Sequence, residues 1–342
     1  MAETTQSLVA RRRIGLLPLV QNECVKMLRK RRFLVVTLIL AVLIPIFTYA
    51  QLRVAINNEK QFGTTDWRVT TQQQIKDYQN RIGSARTPEE WKKWIRVQVQ
   101  VLQYYLDKNV DPKSPNAVTF TIGFLSNAVT LFIPLMVMVI TSDLVSGEHS
   151  SGTIKLLLTR PVRRWKVLAG KYAAMLLFVS LIVVVTALMC YLISGLAFGY
   201  GGWKMPVFTG FRVNEAEVDL SRVHAVDQWL YMLMVSGLTW FSALAVGCMM
   251  LMVSVLVRST AAGMGIMLAT LISGTILVNM VSSWETAKYL FMVNLNLPQY
   301  LAGSPPPIKG MTLGFSLGVL VVWALASIFV SFWTFTKKDV LN

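Results

Sequence analysis

The stretch Ser146–Lys166, SGEHSSGTIKLLLTRPVRRWK, lies between two long apolar runs. It is short, polar and basic, yet it has an apolar face of its own. Ser150 or Ser151 can cap a helix there. Ile154, Leu157 and Leu158 then fall at i, i+3 and i+4, on one side. Pro161 disfavours helix at Arg160 and marks the end. About nine helical residues remain, roughly 13 Å. So short a helix is marginal alone in water, so its apolar face must dock on lipid or on another protein.

The runs on either side set the class. Of 342 residues, 54% are hydrophobic and 15% charged, and mean hydropathy is +0.52. A soluble domain carries about 25% charge, so this is the composition of a polytopic membrane protein. Six runs reach the ~20 apolar residues a span requires. They are approximately Phe33–Leu52, Val118–Ile140, Tyr172–Phe198, Trp229–Val257, Ala261–Val281 and Met311–Phe335. The first reads as an uncleaved anchor, because the basic region before it is too long for a signal peptide.

The net charge of +16 fits basic loops facing an anionic leaflet rather than nucleic acid. Eight Lys or Arg lie between Arg11 and Arg32, and six between Lys155 and Lys171. The two short loops opposite hold Lys204, Arg212, Arg222, Lys288 and Lys309. Both termini, and the stretch quoted above, are therefore expected on the cytoplasmic side of a membrane that the chain crosses many times.

The segment LVQNECVKMLRKRRF leads into the first span. Val20, Cys24, Met27 and Leu28 make a stripe bordered by Lys26, Arg29, Lys30 and Arg32, the pattern of a helix lying in the membrane interface. Glu23 is the one acid there; it either pairs with Arg163 or Arg164 or is solvated. Residues 1–13 read as a flexible tail.

The six runs as bounded contain no Asp, Glu, Lys, Arg or His. Ion-coupled carriers need such groups inside the membrane, which argues against a proton antiporter. Cys24, Cys190 and Cys248 are far apart, no HExxH occurs, and no metal site is expected. The chain has no GxxxxGK[ST] phosphate loop, so it is not expected to be an enzyme or to bind a cofactor of its own. A charge-free route suits amphipathic cargo, with Asn127, Thr130, Phe132, Asn279 and Met280 as candidate lining. Each of these can equally be ordinary packing.

The segment Asp143–Lys171, DLVSGEHSSGTIKLLLTRPVRRWKVLAGK, resembles the signature loop of ABC type-2 permeases. Glu148, Gly152, Thr153, Leu156, Leu157, Leu158, Pro161 and Arg164 match its acid, Gly-Thr, apolar triplet, proline and basic cluster. The resemblance extends to the basic leading helix, the six spans and the tail ending FTKKDV. It implies that the loop is a coupling helix seated in a cytoplasmic ATPase dimer, which carries the ATP and Mg. A second copy or a sister permease completes the pathway, and membrane lipids surround it. Ile154, Leu157 and Leu158 would form the docking face. Glu148 would tie the loop to its span or to the leading helix. Arg160, Arg163 and Arg164 would anchor on headgroups or touch the ATPase.

The expected fold is an all-α polytopic membrane protein. Residues 1–32 form the tail and the amphipathic connecting helix, with Glu23, Met27 and Leu28 on it. Residues 33–342 form the six-span permease. Within it, 53–117 is an extracellular helical insertion, 141–171 the cytoplasmic coupling loop and 282–310 an outer re-entrant loop. In the insertion, Thr87-Pro88-Glu89-Glu90 predicts a helix start with Thr87 as cap. Asn294, Asn296 and Pro298 predict a short helix, a break and a second short helix in the re-entrant loop. Gly310, Gly314 and Gly318 predict a flat strip, packed within the subunit or at a dimer seam.

The resemblance implies export of an antimicrobial peptide, antibiotic or lipid. A sodium-extruding permease, a membrane-embedded lipid enzyme, and a sensor or scaffold binding a ligand through 53–117 without transport are the alternatives.

Overall fold

A computed structural model of the chain describes residues 15–62, 66–112, 114–153, 162–214, 217–280 and 284–337. Its described residues are mostly helical. α1 is Leu16–Arg29 and α2 Arg32–Phe62. α3 is Trp67–Gly83 and α4 Glu89–Asp107. α5 is Ala117–Ala128, α6 Phe132–Thr141 and α7 Ser146–Ser150. α8 is Arg164–Phe198, α9 Gln228–Leu256, α10 Thr260–Met280 and α11 Leu313–Lys337.

Five of these, α2, α8, α9, α10 and α11, are long and apolar enough to cross a membrane; α5 and α6 make a sixth span if counted together. The centre of the bundle is α9, 72% buried over its most apolar window against 22–33% for the other four. Val235, Val246, Met250 and Leu251 of α9 are fully buried. They belong to cores that include Leu125, Ile133 and Val137 of the broken span and Val179 and Ile182 of α8. The peripheral helices leave large apolar side chains exposed, as lipid-facing surfaces do.

The second span departs from the expected single helix. It bends by 67° between Ala128 and Phe132. Pro134 supplies the reason. It has no N–H to give the carbonyl of Thr130 and its ring would collide with it, so a continuous helix fails one turn upstream. The third span also differs: its helix starts at Arg164, not Tyr172, and so carries Lys171 inside it.

The 53–117 insertion holds more structure than one helix. α2 continues to Phe62. α3 follows, capped by Asp66, whose side chain accepts from the N–H of Arg68 at 3.0 Å. Only Thr71 and Ile75 of α3 are buried, a stripe too narrow to announce a helix in so polar a sequence. α4 begins at Glu89, with Pro88 rather than Thr87 in the cap position.

A β-ribbon between α8 and α9 was not expected. β1 (Pro206–Thr209) pairs antiparallel with β4 (His224–Asp227), and β2 (Arg212–Asn214) with β3 (Glu217–Asp219). Gly210 joins β1 to β2 at φ +91°, where a Cβ would lie 2.5 Å from the Arg222 carbonyl oxygen. Phe208 and Phe211 of the ribbon pack on Val97, Val101 and Tyr105 of α4. The Tyr105 hydroxyl accepts from the Phe208 N–H at 3.2 Å.

The described part of the 282–310 loop forms three short 3-10 turns, Glu285–Tyr289, Phe291–Asn294 and Leu297–Tyr300, rather than two helices. Asn294 is buried and donates to the carbonyls of Lys288 and Leu290, both at 2.8 Å, which breaks the helical ladder. The glycine strip packs against none of the described residues. A Cβ at Gly314 or Gly318 would meet nothing within 4 Å, and Gly310 precedes the helix at φ +83°.

Candidate functional site: the ion-paired base of the 146–163 loop

α1 contains no acid in its first turn and ends with Lys26 and Arg29, which suit the negative end of its dipole. Glu23 and Met27, one turn apart, are its buried face. That face lies on α8 at close range: a Cβ on Gly170 would stand 3.2 Å from the Leu19 Cβ. The chain then turns into α2 through Arg31, held in the left-handed region at φ 55°. Its N–H closes the end of α1 on the Leu28 carbonyl at 3.0 Å.

α7 is a single turn fixed by serines. Ser254 near the end of α9 takes the N–H groups of Val145 and Ser146 on its Oγ at 3.2 and 3.0 Å. It donates to the Ser142 carbonyl at 2.7 Å. Ser146 Oγ lies 3.0 Å from Thr260 Oγ1, at the start of α10. The loop therefore leaves α6 already tied to α9 and α10.

Charge completes the attachment. Lys171 of α8 is fully buried. Its Nζ lies 3.0 Å from Glu23 Oε2 of α1, 2.9 Å from Glu148 Oε1 of α7 and 2.6 Å from the Leu144 carbonyl. Lys26 Nζ lies 2.8 Å from Glu23 Oε1 and 2.9 Å from Glu148 Oε1. Two carboxylates and two ammonium groups thus alternate across three helices. Burial alone would raise the Glu148 pKa, but the charge of Lys171 and hydrogen bonds from both lysines outweigh it, holding the carboxyl below its usual range. Burial would likewise lower Lys26, and its bonds to Glu23 and Glu148 reverse the sign. Glu148 Oε2 is buried and has no hydrogen-bond partner among the described residues.

A second group lies beside it. Asp143 pairs with Lys30 and, at 3.2 Å, with Arg32. Arg32 also donates to the Val139 carbonyl at 2.9 Å and Ser142 Oγ at 3.1 Å, neutralising the carbonyl end of α6.

Several expected site residues fall elsewhere than the sequence suggested. Glu23 is neither solvated nor paired with Arg163 or Arg164; it is buried against Lys26 and Lys171. Arg163 is exposed in the cap position of α8. Arg164 reaches toward the Thr336 carbonyl at the end of α11, 3.5 Å away. The α1 stripe splits: Met27 is in the core and Cys24 packs against it, while Leu28 is exposed. The stripe could not lie wholly in lipid because Gly170 lets α8 take one side of it.

Gly152 and Thr153 are exposed, and Gly152 adopts φ +69°, a left-handed bend that glycine makes without strain. Ile154, Leu156, Leu157, Leu158, Arg160 and Pro161 lie outside the described residues. Asn127, Thr130 and Phe132 gather at the bend of the broken span. Asn127 is exposed and bonds the Gly123 carbonyl at 2.8 Å, and Phe132 packs edge-on against Phe124. The side chains of Asn279 and Met280 are outside the described set. In the sequence Lys171 counted only as a topology charge, and Lys26 as one of the cations bordering the interfacial stripe. The signals for them were the Glu23–Lys26 spacing and the place of Lys171 directly before an apolar run.

Apolar helices enough for five or six spans, around a buried central helix, define a multi-pass membrane protein. The chain belongs to the family described as "Protein of unknown function (DUF2705)", whose model matches residues 92–341. It is 31% identical over 218 residues to the uncharacterized protein YhcI of Bacillus subtilis, covering 62% of this chain and 66%, just under two thirds, of that protein. It is 32% identical over 223 residues to the uncharacterized membrane protein YdbK of the same organism, covering 64% of this chain and 83% of YdbK. A shorter match of 65 residues, 35% identical, links it to NosY of Stutzerimonas stutzeri, named a probable ABC transporter permease protein. That match covers 19% of this chain and 24% of NosY.

Proposed function

We propose that this chain is the membrane subunit of an ABC transporter, working through its 146–163 loop with a separate cytoplasmic ATPase. One observation carries the reading: the base of that loop is bonded to four helices at once. Lys171 and Lys26 hold Glu148 to α8 and α1. Ser254 and Thr260 hold Val145 and Ser146 to α9 and α10. A displacement of this base is passed directly to α1, α8, α9 and α10, on both sides of the bundle. An ordinary surface loop has no use for a fully buried lysine at its root, since burying such a charge is costly unless it does something specific. The likeness to NosY supports the same reading.

On this account Leu157 and Leu158 seat in the ATPase, which supplies ATP and Mg, and a second permease chain completes the pathway. The loop end of the bundle faces the cytoplasm of a bacterial cell. The apolar spans suit export of an amphipathic cargo such as a peptide, antibiotic or lipid. Affinity purification of the tagged chain from its host, after gentle solubilisation, tests the reading. A stoichiometric ATPase subunit identified by mass spectrometry supports it. A chain that comes alone, even after crosslinking, sinks it.

A further inference from the structure

A shallow cleft, open to the surface, lies where α1 turns into α2. Its walls differ in character. Met27, Phe33, Ile140 and Phe178 make one side, and Lys30, Arg32 and Asp143 the other. Phe33 and Phe178 meet edge-on with ring centres 5.8 Å apart, a firm apolar wall. Asp143 is buried and can balance only one of the two cations paired with it. Lys30 remains 44% exposed at the side chain, and Arg29 and Arg31 beside it are exposed. The local charge is therefore positive and half open.

The surroundings locate this cleft at a membrane surface. Leu17, Val25 and Leu28 are exposed on α1, and Leu34, Val35 and Leu38 on the first turns of α2. Trp165 and Trp333, at the same end of the bundle, are exposed and carry Lys166 and Lys337 over their rings. Tryptophan with lysine at a helix end is the usual anchor at the headgroup level. A site with cations on one wall and aromatic rings on the other, at that depth, matches a phosphodiester joined to acyl chains.

We propose that the mouth of this cleft, together with the exposed Arg31 beside it, binds an anionic phospholipid of the phosphatidylglycerol type. Its phosphate lies against Lys30 and Arg31, and its chains run past Phe33 along the lipid-facing side of α2. The lipid would hold the α1–α2 corner in place without entering the Glu23–Lys171 cluster. The proposal does not depend on transport.

The test is native mass spectrometry of the full chain in detergent, stripped of lipid and titrated with phosphatidylglycerol or phosphatidylcholine. One phosphatidylglycerol should bind at least about tenfold more tightly than phosphatidylcholine. The double variant Lys30→Gln, Arg31→Asn should weaken it about thirtyfold, two basic contacts being lost. Lys76→Gln, exposed on α3, should change nothing. Arg31→Asn alone keeps a residue tolerant of the left-handed backbone; it should show part of the loss if the double variant fails to fold. Equal affinity for the two lipids, or binding unchanged by loss of these cations, overturns the proposal. So does displacement of the lipid by inorganic phosphate at equal concentration, which would make free phosphate the occupant.

Discussion

Lys171 Nζ stands 2.9 Å from Glu148 Oε1, and the lysine has no exposed surface. The contact joins the third span to the turn that opens the loop, and Glu23 and Lys26 extend it to α1. Taking ions out of water costs several kcal/mol each, and the partners must return that cost. The cluster therefore responds asymmetrically to substitution.

Lys171→Met should destabilise the chain by about 3–5 kcal/mol, because Glu23 and Glu148 are left buried with only Lys26 between them. Thermal unfolding in detergent reads the loss. Adding Glu23→Gln and Glu148→Gln to Lys171→Met should recover a large part of it, since the one charge left in the cluster, on Lys26, is 38% exposed and can reach water. A triple variant no more stable than the single one would show that the lysine acts through packing.

The pH dependence follows from Glu148. Its pKa is lowered in the fold from an ordinary 4.5. Its contribution is thus present above 4.5 and is lost as pH falls through the lower folded value. Lys26, raised from 10.5, contributes fully below 10.5 and loses its part as pH climbs past its folded value. The melting-temperature gap between the native chain and Glu148→Gln should be widest near neutrality and close below pH 4.5. A gap that is constant with pH contradicts the ionic account.

The close approach of α1 to α8 depends on Gly170. Gly170→Ala asks Leu19 to give by a few tenths of an ångström and should be mild. Gly170→Leu should lift α1 away and expose the Lys26–Arg32 segment. Limited trypsin digestion reads this directly; a digestion pattern like that of the native chain would mean that α1 docks by its ion pairs alone.

At the other end of the bundle, Tyr105→Phe leaves the buried Phe208 N–H without its side-chain acceptor. The cost is about 1–3 kcal/mol. Faster amide exchange at β1, with the spans unchanged, is the expected signature.

Much of this architecture is legible in the sequence. Five of the apolar runs fall on helices, and α9, α10 and α11 match theirs to within two residues, because twenty apolar residues in a row admit few other structures. The bend in the second span was legible too, in Pro134, but an apolar run hides its own interruptions. α3 escaped notice because Thr71 and Ile75 are its only buried residues. The β-ribbon escaped because its strands have three or four residues each and its apolar side chains pack on α4, with no long alternating pattern to announce them. The cluster was half visible. Glu148 stood out as the acid of a recognisable loop. Its partners lie 122 and 23 positions away, and no local pattern reports which lysine a fold will bury.

The central claim is that the 146–163 loop transmits ATPase work into the spans. Leu157→Asp puts a charge on the expected docking face and replaces no member of the Lys171 cluster. The direct measurement is ATP hydrolysis by the purified complex of the chain with its ATPase, native against Leu157→Asp, normalised to the ATPase retained. The account predicts loss of ATPase recruitment or of permease-dependent hydrolysis. Unchanged recruitment together with unchanged hydrolysis would contradict it.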